Sequence, residues 1–317
     1  MPEALRHATL RQLQIFLAAA EHSSFARAAE LLHLTQPAVS MQMSQLSETV
    51  GLPLFEKRGR NLCLTRAGET LVPYVERIAQ TLREASEAVD ALQGLRQGRI
   101  KIALVTTTRY FAPKLLAQFR AQHPQIELDV SIIDREGVIA QLENNQVDLA
   151  IMGRPPTHMA VVSEAFAKHP HGVIAPPEHP LAGKKHLAPQ KLAHEPFLSR
   201  ESGSGTRYAM EQYFAEHGLS PPVLQEMTSN ESIKQAVMAG MGLAFISLHT
   251  ISLEHQTGHL VLLDVKGLPV VRSWYVLHRA GKSLSPAAVA FKQFMHAEAP
   301  AYMKTLLPGS GSKRGHG

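Results

Sequence analysis

Four short stretches of the 317-residue chain carry the residue types that bind anions: "TTTRY" from Thr106, "MGRPP" around Arg154, "ESGSGTRY" from Glu201, and "TSNES" from Thr228. Hydroxyls and free backbone N–H groups where a helix starts suit a phosphate or a carboxylate. Thr106, Thr107, Thr108 and Arg109 form one such candidate group. Glu201, Ser202, Gly203, Ser204, Gly205, Thr206 and Arg207 form a second; its glycines allow close backbone approach and its arginine offers a charge-assisted contact. Ser229, Asn230 and Glu231 open another helix, while Pro155 and Pro156 hold Arg154 in an extended turn. A serine or threonine before a helix is more often a plain cap than a ligand contact, so the weight rests on the four stretches together. They predict a site for a small anionic metabolite carrying phosphate or carboxylate.

Other chemistry is not written in the chain. It contains no His-Glu-x-x-His, no Gly-x-Ser-x-Gly and no Gly-x-x-x-x-Gly-Lys, so no enzyme is expected. The 17 histidines are scattered. His169 and His171 in "HPHG" read as a polar loop with solvated or capping rings, and neither a metal nor a cofactor is assigned. A single cysteine, Cys63, excludes an intrachain disulfide framework and fits a reducing compartment. No apolar run has the length of a membrane span, and "MPEALRHATL" lacks the apolar core of a secretion signal. The expectation is a cytoplasmic protein with no membrane partner. A net charge of +5 permits a polyanionic partner without demanding one.

Three zones must position these groups, followed by a glycine- and serine-rich tail at 306–317 that is expected to be disordered. From residue 99 to 305 the chain alternates strand and helix: "IKIALV", "YFAPKLLAQFRAQ", "IELDVSII", "EGVIAQLENN" and "DLAIMG" make a βαβαβ unit. "PFLS", a helix from Gly205, "VLQEM", "ESIKQAVMAG" and "GLAFIS" repeat it, and "VVRSWYVLHR" supplies a return strand. Two α/β subdomains with a cleft at the carboxyl ends of their strands follow, and the four anion-binding stretches converge there. Ahead of this, residues 66–98 form a long helix in which Leu71, Val75, Ile78, Leu82, Ala85, Val89 and Leu92 recur in alternating steps of four and three. Strict alternation over three heptads favours pairing with a second copy over a lone amphipathic helix. Pro73 is expected to bend this helix, and Gly94 with Gly98 to end it.

Residues 1–65 read as a compact helical domain. Leu13, Phe16, Leu17 and Ala20 make one apolar stripe; Phe25, Ala28, Ala29 and Leu32 make another. Thr35 is a good N-cap for a third helix, and Pro37 sits in its first turn, where a missing N–H costs nothing. Val39, Met43, Leu46 and Val50 then bury one face, leaving Gln36, Ser40, Met41, Ser44 and Gln45 outward. Short hydrogen-bonding side chains on an exposed helix after a tight turn fit a DNA major groove, with Met41 free to meet a thymine methyl. "GLPLFEKRGRNLCLT" has the pattern of a two-stranded wing whose basic tip, Lys57, Arg58 and Arg60, would meet phosphates. From periodicity alone a three-helix bundle with a solvated polar face fits equally well.

The stretch "SFARAAELLHLTQPAVSMQMSQLSETVGLPLFEKRGRNLCLTRAGE" resembles the N-terminal winged helix-turn-helix of LysR-type transcriptional regulators. "TRYFAPKLL", "LAIMGRPP", "IAPPEHPLAG" and "SNESIKQAVMAGMGLAFISLHT" resemble the members of that family that control ribulose-bisphosphate carboxylase genes in Calvin-cycle operons. The resemblance implies a multidomain α/β protein: a winged helix-turn-helix, a dimerising linker helix, and a two-subdomain effector domain of periplasmic-binding-protein type. It implies promoter DNA as partner, a phosphorylated effector such as phosphoenolpyruvate or ribulose bisphosphate, a tetrameric assembly, and RNA polymerase as a further partner class. A LysR-type regulator with a carboxylate effector is the alternative within the family. A solute-binding protein is the alternative outside it, against which stand the DNA-reading domain and the lack of an export signal.

The chain departs from many family members by having no cation at Met41, Ser44 or Gln45. Affinity must then come from the helix N-terminus at Thr35 and Gln36 and from the flanking Arg27, Arg58 and Arg60. Residues 1–67 hold seven basic and five acidic side chains, so the footprint is local. With roughly three phosphate-directed cations per subunit, a dimer neutralises about six phosphates, and log K against log salt should fall with a slope of about −5. Filter binding over a salt series checks this; a slope close to zero contradicts it.

Overall fold

The computed structural model describes residues 5, 7–58, 61–91 and 98–309. The chain divides into two compact units, one over residues 1–89 and one over 90–143 and 147–317.

In the first unit, α1 (Leu10–His22) opens with a capping box in which Thr9 and Gln12 serve each other's backbone N–H groups. Its buried face is turned slightly from the expected stripe: Ile15 and Ala19 lie in the core with Leu13 and Phe16, while Leu17 and Ala20 are only partly covered. α2 (Phe25–Leu31) starts at the Ser24 cap, and α3 (Gln36–Val50) at Thr35, whose hydroxyl accepts the Ala38 N–H. Pro37 falls in the first turn, and α3 stops at Gly51, which has φ +78°. Val39, Met43 and Leu46 are buried with Ala28 and Ala29, so α2 and α3 form a helix-turn-helix around one core. β1 (Phe55–Arg58) and β2 (Asn61–Leu64) pair antiparallel as the wing. α4 (Arg66–Ala91) continues through Pro73. A Cβ at Gly68 would run into the Leu54 carbonyl, so only glycine lets the first turn of α4 lie on the wing strand's base. The expected seam residue Leu92 and the terminating Gly94 lie outside the described residues; Gly98 instead opens the next strand.

The second unit is one nine-stranded mixed sheet bent into two lobes. β3 (Gly98–Val105), β4 (Ile126–Ile133) and β5 (Leu149–Met152) are parallel, joined through α5 (Ala112–Gln122) and α6 (Arg135–Glu143). Two long strands follow the other path: β6 (Val161–Ala175), and, after the second lobe, β11 (Val270–Arg279), paired antiparallel along ten positions. Between them lie β7 (Phe197–Arg200), α7 (Gly205–Glu216), β8 (Val223–Met227), α8 (Asn230–Met238), β9 (Leu243–Ser247), α9 (Ser252–Gln256) and β10 (Val261–Leu262). α10 (Pro286–Thr305), a helix the sequence reading did not separate, then returns to the first lobe. Each lobe covers both faces of its sheet: Phe119, Phe291 and Phe294 pack on one face of the first lobe and Val138 and Leu142 on the other. Phe197, Phe214 and Phe245 and, opposite, Ile233, Val237 and Ile246 do so in the second. The expected pair of α/β subdomains is present, but the strands joining them are antiparallel and shared.

β6 corrects the reading of "HPHG" as a loop. His169 and His171 sit inside the strand, 5% and 1% exposed, and Pro170 faces Val271 of β11. His169 stacks on Trp274 at 3.9 Å and on His171 at 4.1 Å; His171 continues to Phe245, and Phe111 closes the column against Trp274 at 5.0 Å. Trp274 Nε1 donates to His249 Nδ1 at 3.4 Å. Burial holds all three imidazoles neutral: His169 is pushed well below its usual range with help from His171, His249 and Arg272, while His171 falls to about 3 and His249 to about 4.

These histidines bind protons in the unfolded chain below about pH 6.5 but not in the folded one, so stability is full above that value and falls as pH drops toward 4. Each contributes a slope of about 1.4 kcal/mol per pH unit once its unfolded form is charged. Denaturant unfolding followed by the emission of Trp274, the single tryptophan, should weaken steeply between pH 6.5 and 4.5. In His171→Gln the slope should be shallower by one proton; an unchanged slope contradicts the assignment.

Candidate functional site

The first unit exposes the polar face of α3. Gln36, Ser40, Met41, Ser44 and Gln45 are all exposed on α3, as are Thr35 and Pro37 at its start. Met41 is 54% exposed, so its thioether stands free on the outer face of the helix. The flanking cations are held by exposed carboxylates: Arg27 donates to Glu30 at 2.7 Å and Arg58 to Glu56 at 2.7 Å. Glu56 also raises the Arg58 pKa. Such solvent-exposed pairs are worth little and exchange readily for phosphate oxygens. Lys57 is exposed; Arg60 lies outside the described residues.

On α4 the expected seam divides in two. Leu71 and Val75 are buried in the unit's own core, whereas Ile78, Leu82 and Val89 are 39%, 44% and 60% exposed. Ile78 and Leu82 line an apolar groove of about 1160 Å3 whose walls also include Val50, Leu52, Pro53, Leu71 and Tyr74.

In the second unit a small cavity of about 40 Å3 lies where β3, β5 and β7 end, at the carboxyl ends of the strands as open sheets require. Thr106 and Thr107 follow β3; Gly153 and Arg154 follow β5; Arg200 and Glu201 end β7; Ser204, Gly205 and Thr206 open α7. Arg135, His169 and Trp274 complete the lining. Its central group is Arg200, which the sequence reading passed over. Arg200 is 3% exposed and donates through Nε and Nη2 to the two carboxylate oxygens of Glu201, at 2.6 Å each. Nη1 donates to Asn230 Oδ1 at 2.9 Å and Nη2 to Thr106 Oγ1 at 3.2 Å, while Asn230 Nδ2 donates to Thr107 Oγ1 at 3.3 Å. One guanidinium of the second lobe thereby ties α8 and the first lobe together. The signal for it was the position of an arginine immediately at the end of a strand, one residue before the "ESGSG" turn.

Three further arginines converge with no carboxylate within ion-pair distance among the described residues. Arg154 and Arg272 both lie over the Tyr208 ring, at 4.3 and 5.1 Å, and Arg135 donates through Nη2 to the Arg154 carbonyl at 3.4 Å. Burial and the neighbouring Arg154 lower the Arg135 pKa, and burial lowers that of Arg272. Arg135 Nε is buried without a hydrogen-bond partner. Uncompensated positive charge in a cleft is what an anionic ligand relieves.

Other predicted residues serve elsewhere. Arg207 is turned to its own helix, donating to Glu211 at 2.6 Å with Glu226 at 3.9 Å, and does not line the cavity. Thr108 is fully buried and donates to the Val105 carbonyl, while Arg109, Ser202 and Gly203 are exposed outside the cavity. Ser229 caps α8. Glu231 accepts from Tyr110 at 2.6 Å and Lys234 at 2.8 Å beside a separate cavity of about 440 Å3. Burial pushes Glu231 up, but the hydrogen bonds from Lys234 and Tyr110 outweigh it and hold the carboxyl low; burial and Glu231 raise Tyr110 strongly. No cluster of three or more metal-ligating side chains occurs among the described residues, and no helix among them is long and apolar enough to cross a membrane.

Comparison with known proteins adds the following. Residues 10–69 match the family model of the bacterial regulatory helix-turn-helix protein, lysR family, and residues 93–300 match the LysR substrate binding domain. The chain is 49% identical over 293 residues to a RuBisCO operon transcriptional regulator of Allochromatium vinosum, covering 92% of this chain and 97% of that one. It is 49% identical over 313 residues to the regulator CfxR of Cupriavidus necator, covering 98% and 99%. Among solved structures, the regulatory domain of Synechocystis CcmR in complex with 2-PG is 39% identical, with a TM-score of 0.61, covering 63% of this chain and 97% of that one.

Proposed function

The chain belongs to the LysR family of bacterial transcriptional regulators, and from that premise we propose that it activates carbon dioxide fixation genes in response to a small phosphorylated metabolite bound between the lobes of its regulatory half. As a family member it is a DNA-binding regulator with an effector domain, related to the regulators of RuBisCO operons, and not an enzyme. The observation that carries the effector reading is that Arg135 and Arg154, neither paired to a carboxylate, line a cavity walled by the α7 N-terminus, with Arg272 behind them over the same Tyr208 ring as Arg154. The 2-PG complex of the CcmR regulatory domain supports a phosphorylated ligand class, to which phosphoenolpyruvate and ribulose bisphosphate also belong. A carboxylate effector is the second reading, favoured only by arginine forks fitting either group.

On the DNA side, α3 reads base edges in a major groove through Gln36, Ser40, Met41, Ser44 and Gln45, while Arg27, Lys57, Arg58 and Arg60 grip phosphates. The exposed Ile78, Leu82 and Val89 of α4 support pairing with a second copy, which sets two recognition helices on an interrupted inverted repeat. The working assembly is a tetramer of two such dimers, acting with RNA polymerase in the cytoplasm, where the chromosome lies. Effector and operator affinities are then linked reciprocally, by about 1 to 3 kcal/mol.

Calorimetric titration of the full chain with 2-phosphoglycolate, phosphoenolpyruvate and ribulose bisphosphate tests the site. Arg154→Ala should weaken the binding anion by about 1.5 to 3 kcal/mol, with promoter affinity in its absence unchanged. Arg207→Ala, whose guanidinium is occupied by Glu211, should bind normally. Equal affinity in wild type and Arg154→Ala contradicts the cleft assignment.

A further inference from the structure

We propose that Glu201 is a built-in competitor of the effector, occupying the buried Arg200 fork so that a phosphate head group displaces it and a carboxylate head group does not. The inference rests on the reading of the lobe cleft as the effector site and goes beyond it by naming the residue that selects among anions.

Three observations lead here. First, the Arg200 guanidinium, the most deeply buried charge lining the cavity, is already engaged: Glu201 takes Nε and Nη2 in a two-point fork at 2.6 Å per arm. A two-point carboxylate is what an incoming carboxylate would itself offer, so exchanging one for the other gains no charge and no hydrogen bond, while association costs translational freedom. A phosphate brings a third oxygen and a second charge, and Arg135 and Arg154 in the lining carry the unpaired positive charge that meets them. Discrimination thus comes from an internal repulsive element as much as from attractive contacts.

Second, the cavity is small, about 40 Å3. Glu201 is the one anionic member of its lining, so it is the group an incoming anion repels. Third, the two partners differ in freedom to move. Arg200 is 3% exposed and fixed by Asn230 and Thr106, whereas the Glu201 side chain is 20% exposed and begins a turn through Gly203, φ +85°, that ends at the Ser204 cap of α7. The displaced carboxylate swings to water while the guanidinium stays.

The experiment titrates the full-length chain with 2-phosphoglycolate and with malonate, which puts a carboxylate in place of the whole phosphoryloxy group on a skeleton one atom shorter. Wild type should prefer 2-phosphoglycolate by about 100-fold or more. In Glu201→Gln malonate should bind at least about tenfold tighter, and the preference should fall by at least the same factor. Glu201→Asp, which keeps the charge that stabilises buried Arg200 but loosens the fork, should fall between the two and guards against a Gln variant that does not fold. An unchanged preference in both variants, or weaker binding of both anions in both, overturns the inference while Arg154-dependent binding of 2-phosphoglycolate leaves the cleft reading standing. Absence of any Arg154-dependent binding in wild type overturns both.

Discussion

A guanidinium taken out of water at the seam of two lobes must be neutralised and given a partner for each of its N–H directions, or it costs several kcal/mol. Arg200 meets that requirement with groups from three places: Glu201 beside it in the chain, Asn230 at the start of α8, and Thr106 at the end of β3 in the other lobe. The folding of the cleft follows from this demand. β7 has to end beside β3, α8 has to begin there, and the turn after Arg200 has to be tight enough to fold the next carboxylate back on it. The apolar clusters on both faces of each lobe supply the burial that makes such a charged centre tolerable, and the shared strands β6 and β11 keep its two halves in register. A pair that strong locally but replaceable by a better anion suits a centre that must change state on binding a ligand.

The first unit solves a different electrostatic problem. Its reading helix carries no cation, so nothing on α3 competes with base-edge hydrogen bonds, and the cations sit beside it in exposed pairs with Glu30 and Glu56. Pairs of that kind break at little cost when phosphates approach. The helix keeps its geometry through Thr35 and Gly51 at its two ends and through Val39, Met43 and Leu46 underneath. α4 divides its apolar residues in two: Leu71 and Val75 hold the head domain together, and Ile78, Leu82 and Val89 stand exposed.

Much of this was legible in the chain because local signals and tertiary packing agree. The 3.6-residue stripe of α3, its Thr35 cap and Pro37, and the alternating apolar residues of the wing each have one physical reading. The strands β3, β4, β8 and β11 stand where alternation and β-branched runs put them. β6 was not legible, because Lys168, His169, Pro170 and His171 interrupt it with residues that belong on surfaces; only the aromatic column from Phe245 to Phe111 and the antiparallel partner β11 give those rings a dry place. The candidate site was legible by loop and not by residue. "ESGSGTR" marked the turn whose Glu201, Ser204, Gly205 and Thr206 line the cavity, yet Arg207 completes an i,i+4 pair with Glu211 on α7, while Arg200, at the end of β7, lies buried beside Asn230 and Thr106. Nothing in a linear pattern separates those two arginines.

The account depends on Arg200 being the anion-binding centre whose resident partner is exchanged. A crystal structure of the full chain with bound 2-phosphoglycolate tests that most directly. The account predicts a phosphate oxygen within about 3 Å of an Arg200 nitrogen, with the Glu201 carboxylate withdrawn toward solvent. A ligand bound elsewhere, with the Arg200–Glu201 fork intact at 2.6 Å on both arms, would contradict it.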